Sequence, residues 1–101
     1  MIARMWHGRT PTEKAKAYRE FLNARAISDY QSTDGNLSAH ILERTEGEVT
    51  HFITLTFWEN AQAIKNFAGE DMELAKYYPE DKDFLLEFEE RVVQFEVVGQ
   101  S

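Results

Sequence analysis

The chain has 101 residues, 43% of them hydrophobic and 29% charged, with a net charge of −7 and no cysteine. That length supports one domain, residues 1–101, with a single modest core. The acidic balance argues against nucleic acid and anionic membrane surfaces as partners, and the lack of cysteine excludes disulfides, thiolate catalysis and cysteine-ligated metals.

Ile2 to Arg9 reads as a first strand. It carries no apolar signal core, and nothing in the chain approaches the roughly 20 apolar residues of a membrane span, so a cytoplasmic setting is expected. Thr10-Pro11-Thr12-Glu13 then announces a helix: Thr10 as N-cap, Pro11 in the first position and Glu13 where a capping box wants an acid. The helix should run to about Ala26, with Ala15, Tyr18, Phe21, Leu22 and Arg25 on one face. Ser28 to Asn36 is rich in turn residues and reads as a loop. Leu37 to Thr45 forms a second strand, with Leu37, Ala39 and Ile41 on one face and His40 and Leu42 on the other. Glu46-Gly47-Glu48 supplies a hairpin turn.

The third strand, Val49 to Trp58, is the most informative. Phe52, Thr54, Thr56 and Trp58 share one face, and Ile53, Leu55 and Phe57 share the other. The second face is purely apolar. The first mixes hydroxyls with large aromatics, as the wall of a pocket for a partly polar aromatic molecule would. Asn60 caps a second helix that ends near Gly69. Glu70 to Tyr78 offers a further helical turn or two before Pro79, Asp81 to Glu87 is ambiguous, and Arg91 to Val98 forms a last strand.

Strand, helix, strand, strand, helix, strand is the ferredoxin-like α+β order, βαββαβ, with a four-stranded antiparallel sheet. Helices cover one face of such a sheet. A lone domain would leave the Ile53, Leu55 and Phe57 face wet, and a second copy packed sheet to sheet, as a dimeric α/β barrel, is the simplest remedy. A homodimer is therefore expected.

With this order, "FITLTFWENAQAIKNFAGED" (residues 52–71) and "AKYYPEDKDFLLEFE" (residues 75–89) resemble the antibiotic biosynthesis monooxygenase-like family of dimeric α/β-barrel proteins. The resemblance covers essentially the whole chain. It implies monooxygenation of a small aromatic substrate, a quinol or polyketide-like molecule, with neither metal nor organic cofactor, and it gives Trp58 a place on the pocket wall. Haem-degrading members of the family use a histidine on the helix after the tryptophan and an asparagine near the end of the first strand. Here those stretches read Glu73 to Tyr78 and Trp6-His7-Gly8, with neither residue.

The expected substrate-binding residues are Trp6, Thr54, Thr56, Trp58 and Phe67. His7 is the candidate general base, against its reading as a strand-end surface histidine. Tyr77 and Tyr78 are candidate donors to a developing oxyanion, against their reading as aromatics that pack a loop on the core. His40 and His51 lie on neighbouring strands, but no HxH or HExxH spacing accompanies them, so no metal site is expected. The nine acids between Glu70 and Glu90 read as a solvated acidic face. A dimeric binding or structural protein without turnover is the competing reading. A sealed pocket filled by Trp6, Trp58 and Phe67 would favour it. An open pocket with His7 and a tyrosine hydroxyl converging on it would favour the enzyme.

Overall fold

The computed structural model describes residues 1–101. Strands β1 (Ile2–Pro11), β2 (Asn36–Glu46), β3 (Val49–Trp58) and β4 (Val93–Glu96) form one antiparallel sheet in the order β2-β3-β1-β4. This is the ferredoxin-like arrangement expected from the element order. Helices α1 (Ala15–Phe21) and α2 (Ile27–Gln31), joined by a π-helical stretch Leu22–Ala26, and α3 (Ala61–Ala68) cover one face. No helix is long and apolar enough to cross a membrane.

The first helix differs from expectation at both ends. The ladder between β1 and β3 continues to Thr10 opposite Thr50 and Pro11 opposite Val49. Thr10 is thus held as a strand residue and cannot cap. The helical run begins instead with a 3-10 turn at Thr12–Lys14, without a side-chain cap. It extends past Ala26 to Gln31, so Ser28 to Gln31 is helical rather than loop. Packing decides this: Tyr30 is buried, with its hydroxyl 3.0 Å from Thr54 Oγ1. Asn60 caps α3 as expected, accepting a hydrogen bond from the Ala63 N–H at 3.0 Å.

The hairpin pairs Glu46 with Val49, leaving Gly47-Glu48 as a two-residue turn with Gly47 at φ +62°. That register pairs His40 with Leu55 and Arg44 with His51. A bulge between Asn36 and Ser38 shifts the start of β2. Ala39 and Ile41 pack on the core, whereas Leu37 is left exposed instead of sharing their face. Between α3 and β4, residues 69–92 form an irregular covering segment with one 3-10 turn, Pro79–Asp83. The expected turns of helix before Pro79 do not form. Backbone bonds from Ala75 N–H to the Glu90 carbonyl and from Val92 N–H to the Glu73 carbonyl fold the segment back on itself.

Strict alternation sorts the central strands. Arg4, Trp6, Gly8 and Thr10 of β1, and Thr50, Phe52, Thr54, Thr56 and Trp58 of β3, face the helices and are buried. Ile53, Leu55 and Phe57 occupy the open face. There they are joined by Val93 and Phe95, 54% and 56% exposed, which pair with Met5 and Ala3 across the β1 edge.

Candidate functional site

Between the sheet and the helices lies a narrow cavity with about 20 Å³ for water, room for a molecule or two. The sheet contributes Arg4, Trp6 and Thr54 to its wall. The π-helical stretch and α2 contribute Leu22, Ala26 and Tyr30, and α3 contributes Phe67. The covering segment closes it with Lys76, Tyr78 and Asp81. A π turn is an uncommon element that recurs beside functional sites, and here it sets Leu22 and Ala26 against the cavity.

Two charged groups make this cavity unlike ordinary core. Arg4 is 2% exposed, yet no carboxylate pairs with it. Its Nη2 donates to the Leu74 carbonyl at 2.8 Å and its Nε makes a long 3.5 Å contact with the Met72 carbonyl. Its guanidinium carbon stands 5.7 Å from the Phe67 ring centre. Burial lowers the Arg4 pKa, the mark of a cation stripped of water and left uncompensated. Asp81 is also 2% exposed. Its carboxylate accepts from the Tyr18 hydroxyl at 2.8 Å and from the Tyr78 N–H at 2.7 Å. Burial outweighs both bonds and pushes the Asp81 pKa up. A buried cation and a buried carboxyl thus face one cavity without pairing to each other.

Of the residues expected at the pocket, Trp6, Thr54, Phe67 and Tyr78 line it. Trp58 and Thr56 do not. Trp58 is fully buried, with its indole N–H donating to Thr56 Oγ1 at 2.8 Å and its ring packed on Tyr30 and Phe67. Its N–H thus has the partner a buried indole needs, and Trp58 behaves as core. Tyr77 sits behind Trp6, edge to face at 6.1 Å, and donates its hydroxyl to the Glu89 carbonyl at 2.5 Å. The buried Trp6 indole N–H lies near that hydroxyl, outside hydrogen-bond geometry. Tyr78 donates to Asp29 at 2.6 Å. Neither candidate tyrosine hydroxyl is aimed at the cavity as a free donor.

The expected convergence of His7 with a tyrosine beside Trp58 does not occur. Trp6 faces the helices, so His7 faces the open side of the sheet, opposite Ile53. Trp58 is five residues further along the ladder, opposite Ile2. On that open face His7 joins a hydrogen-bonded chain. Its Nδ1 is 2.5 Å from Glu89 Oε2, its Nε2 is 3.0 Å from His51 Nδ1, and His51 Nε2 is 3.0 Å from Glu46 Oε1. No three side chains come together as metal ligands.

Arg4, Tyr18, Tyr30, Lys76 and Asp81 are the polar cavity groups that sequence reasoning missed. Arg4 had a signal: it shares its strand face with Trp6, two residues on, where a charge is out of place. Asp81 had none, since it sits in an acidic, irregular stretch.

No family model matches the sequence, and no curated protein matches it either. Among solved structures the chain is similar to a candidate antibiotic biosynthesis monooxygenase from Nitrosomonas europaea. The TM-score is 0.68 at 16% identity, over 98% of this chain and 100% of that one. It is also similar to a single-site variant of MhuD with two manganese protoporphyrin IX molecules bound per active site. There the TM-score is 0.62 at 18% identity, over 100% of this chain and 98% of that one. The fold is shared with both.

Proposed function

We propose that this chain is the protomer of a cytoplasmic homodimer that oxygenates a small aromatic quinol or polyketide-like molecule, drawing on neither metal nor organic cofactor. The observation that carries the reading is the aromatic-walled cavity between sheet and helices, with Arg4 and Asp81 unpaired inside it. The fold shared with a candidate antibiotic biosynthesis monooxygenase supports the reaction class as analogy. A porphyrin fits this chain poorly. No histidine lines the cavity, and the one histidine–histidine hydrogen bond lies on the far face of the sheet.

The reaction needs a base, a holder for the resulting anion and exclusion of water. Asp81 is the base in this scheme, in place of His7: its carboxyl is raised by burial and faces the cavity. Arg4 supplies the positive charge that offsets the anionic substrate in the closed cavity. Trp6 and Phe67 flank the ring, and Tyr30 with Thr54 offers a hydroxyl pair to a substrate oxygen. The anion gives electrons to dioxygen; the ring CH₂ of an anthrone, or the ortho carbon of a quinol, which is CH₂ in the keto tautomer, becomes C=O, one oxygen atom stays in the product and the other leaves as water.

The apolar open face supports the dimer. Ile53, Leu55, Phe57, Val93 and Phe95 would otherwise stand in water. The small cavity and the sealed Trp58 favour the second reading, a dimeric binding protein without turnover.

Oxygen uptake with anthrone and with a naphthalene diol, set against uncatalysed autoxidation, separates the two. The enzyme reading expects uptake that resists chelators and rises as pH climbs through the elevated Asp81 pKa, because the base must be ionised. Asp81→Asn should slow it by about 10² to 10⁴. Ligand binding with no uptake above background would leave the binding protein.

A further inference from the structure

We propose that the ligand of the covered cavity is an aromatic carboxylate, whose anionic group binds Arg4 in place of the covering segment's own carbonyls. The proposal rests on the small-aromatic reading above and adds the charge and the anchoring residue.

The argument starts from the cost of Arg4. A guanidinium at 2% exposure has lost almost all of its water. Buried arginines regain that loss through carboxylates or phosphates, which meet their planar fork in two parallel hydrogen bonds. Here the fork meets two backbone carbonyls, Leu74 at 2.8 Å and Met72 at 3.5 Å. Nη1 has no protein hydrogen bond, and no ion pair neutralises the charge. A two-oxygen anion fits what is missing. A neutral ligand would leave the charge as uncompensated as it is now.

The surroundings suit a flat ring attached to that anion. Trp6 and Phe67 line the same cavity as Arg4. Lys76 from the covering segment also lines the cavity, its Nζ 4.3 Å from the Phe67 ring centre and 4.0 Å from Asp29 Oδ2, so its charge is already paired and Arg4 remains the unpaired cation. Asp81 faces the cavity as well, with both carboxyl oxygens engaged by Tyr18 and the Tyr78 backbone. It repels an anion laid against it and accepts from a hydroxyl. A ligand with its carboxylate on Arg4 and any hydroxyl toward Asp81 satisfies both groups.

The cavity as closed holds water rather than a ring. Both carbonyls on Arg4 belong to residues 72–74, in a segment with no strand or helix longer than a 3-10 turn. An incoming carboxylate therefore exchanges with those carbonyls, and the segment lifts. The Ala75 and Val92 amides, bonded to the Glu90 and Glu73 carbonyls, report the movement.

The test uses naphthoate and its carboxamide, which share a shape and differ in charge. Binding is followed by tryptophan fluorescence and calorimetry on the full chain, with hydrogen exchange alongside. Naphthoate should bind about 10- to 100-fold more tightly than the carboxamide, the difference expected of a charged hydrogen-bonded anchor. Exchange at Ala75 and Val92 should change with naphthoate. Arg4→Gln should bring the ratio toward one, and Arg4→Lys should keep part of it. If Arg4→Gln does not fold, the unaltered protein decides through the affinity ratio and the site of exchange change. Equal affinities for the two compounds overturn the anionic ligand and leave the aromatic pocket standing. A preference for naphthoate with no exchange change at Ala75 and Val92, or one that persists in Arg4→Gln, overturns Arg4 as the anchor. Binding of neither overturns the pocket reading together with this one.

Discussion

The four tyrosines show how far burial, rather than sequence position, sets side-chain chemistry here. Tyr18, Tyr30, Tyr77 and Tyr78 are all the tyrosines of the chain, and each phenol is pushed above its usual range, first by loss of water. Neighbouring carboxylates Asp81 and Asp29 add to the shift at Tyr18 and Tyr78. A phenol whose folded pKa exceeds the unfolded value of about 10 contributes stability that is fully present below pH 10. That stability drains away above pH 10, as the unfolded chain ionises first. Alkaline titration should therefore show no tyrosinate absorbance while the far-ultraviolet circular dichroism is intact, and the two signals should change together. A tyrosine that ionises near pH 10 in the folded protein would contradict the packing described for it.

At the scale of elements, β1 is the strand on which the site depends. Its inward residues alternate Arg4, Trp6, Gly8 and Thr10, and the glycine is a packing choice rather than a turn. A Cβ on Gly8 would stand 2.5 Å from Trp6 Cη2, 2.8 Å from Trp6 Cζ2 and 3.0 Å from Leu85 Cδ2. The edge of the Trp6 ring thus fills the space over Gly8, beside Leu85 of the covering segment. Gly8→Ala should cost about 1–3 kcal/mol through overpacking. Urea or thermal denaturation would show it, as a melting point lower by several degrees per kcal/mol in a domain of this size. An unchanged or raised stability would mean that the Trp6 ring moves freely, and with it the cavity wall. The covering segment is the other decisive element. It supplies the Arg4 partners, Asp81 and the Glu89 contacts to His7 and Tyr77, all from a stretch with little regular structure.

For the whole molecule, the open sheet face carries the main expectation. Leu55→Asp places a charge at the centre of the proposed interface, opposite Met5 on β1. Obligate dimer interfaces bury roughly 2,000 Å² or more and resemble a split core. A buried unpaired charge should abolish the soluble dimer. Light scattering at micromolar concentration checks this: the unaltered chain should be a dimer and the variant a monomer or an aggregate. A monodisperse monomer for the unaltered chain would end the dimer proposal. In the dimer, the chain Glu89–His7–His51–Glu46 would lie on the packed face, which moves His7 from catalysis to the interface.

The sequence by itself determined the element order, the sheet and the two faces of β3. Period-two alternation, the Glu46-Gly47-Glu48 turn and the Asn60 cap are local signals, read within a few residues. It also marked Trp6 and Thr54, because aromatics and hydroxyls on a covered sheet face are visible in the alternation, Phe67 on the helix after Asn60, and Tyr78 beside Pro79. Only the tertiary structure decided the rest. The ladder with β3 turned Thr10 from a cap into a strand residue, and burial of Tyr30 extended the first helix to Gln31. Strand parity sent His7 to the face opposite the cavity, and indole burial made Trp58 core. Asp81 meets Tyr18 across 63 residues and Arg4 meets Leu74 across 70, through a segment with no periodicity to read. Contacts of that separation come from chain closure and desolvation, which no local pattern encodes.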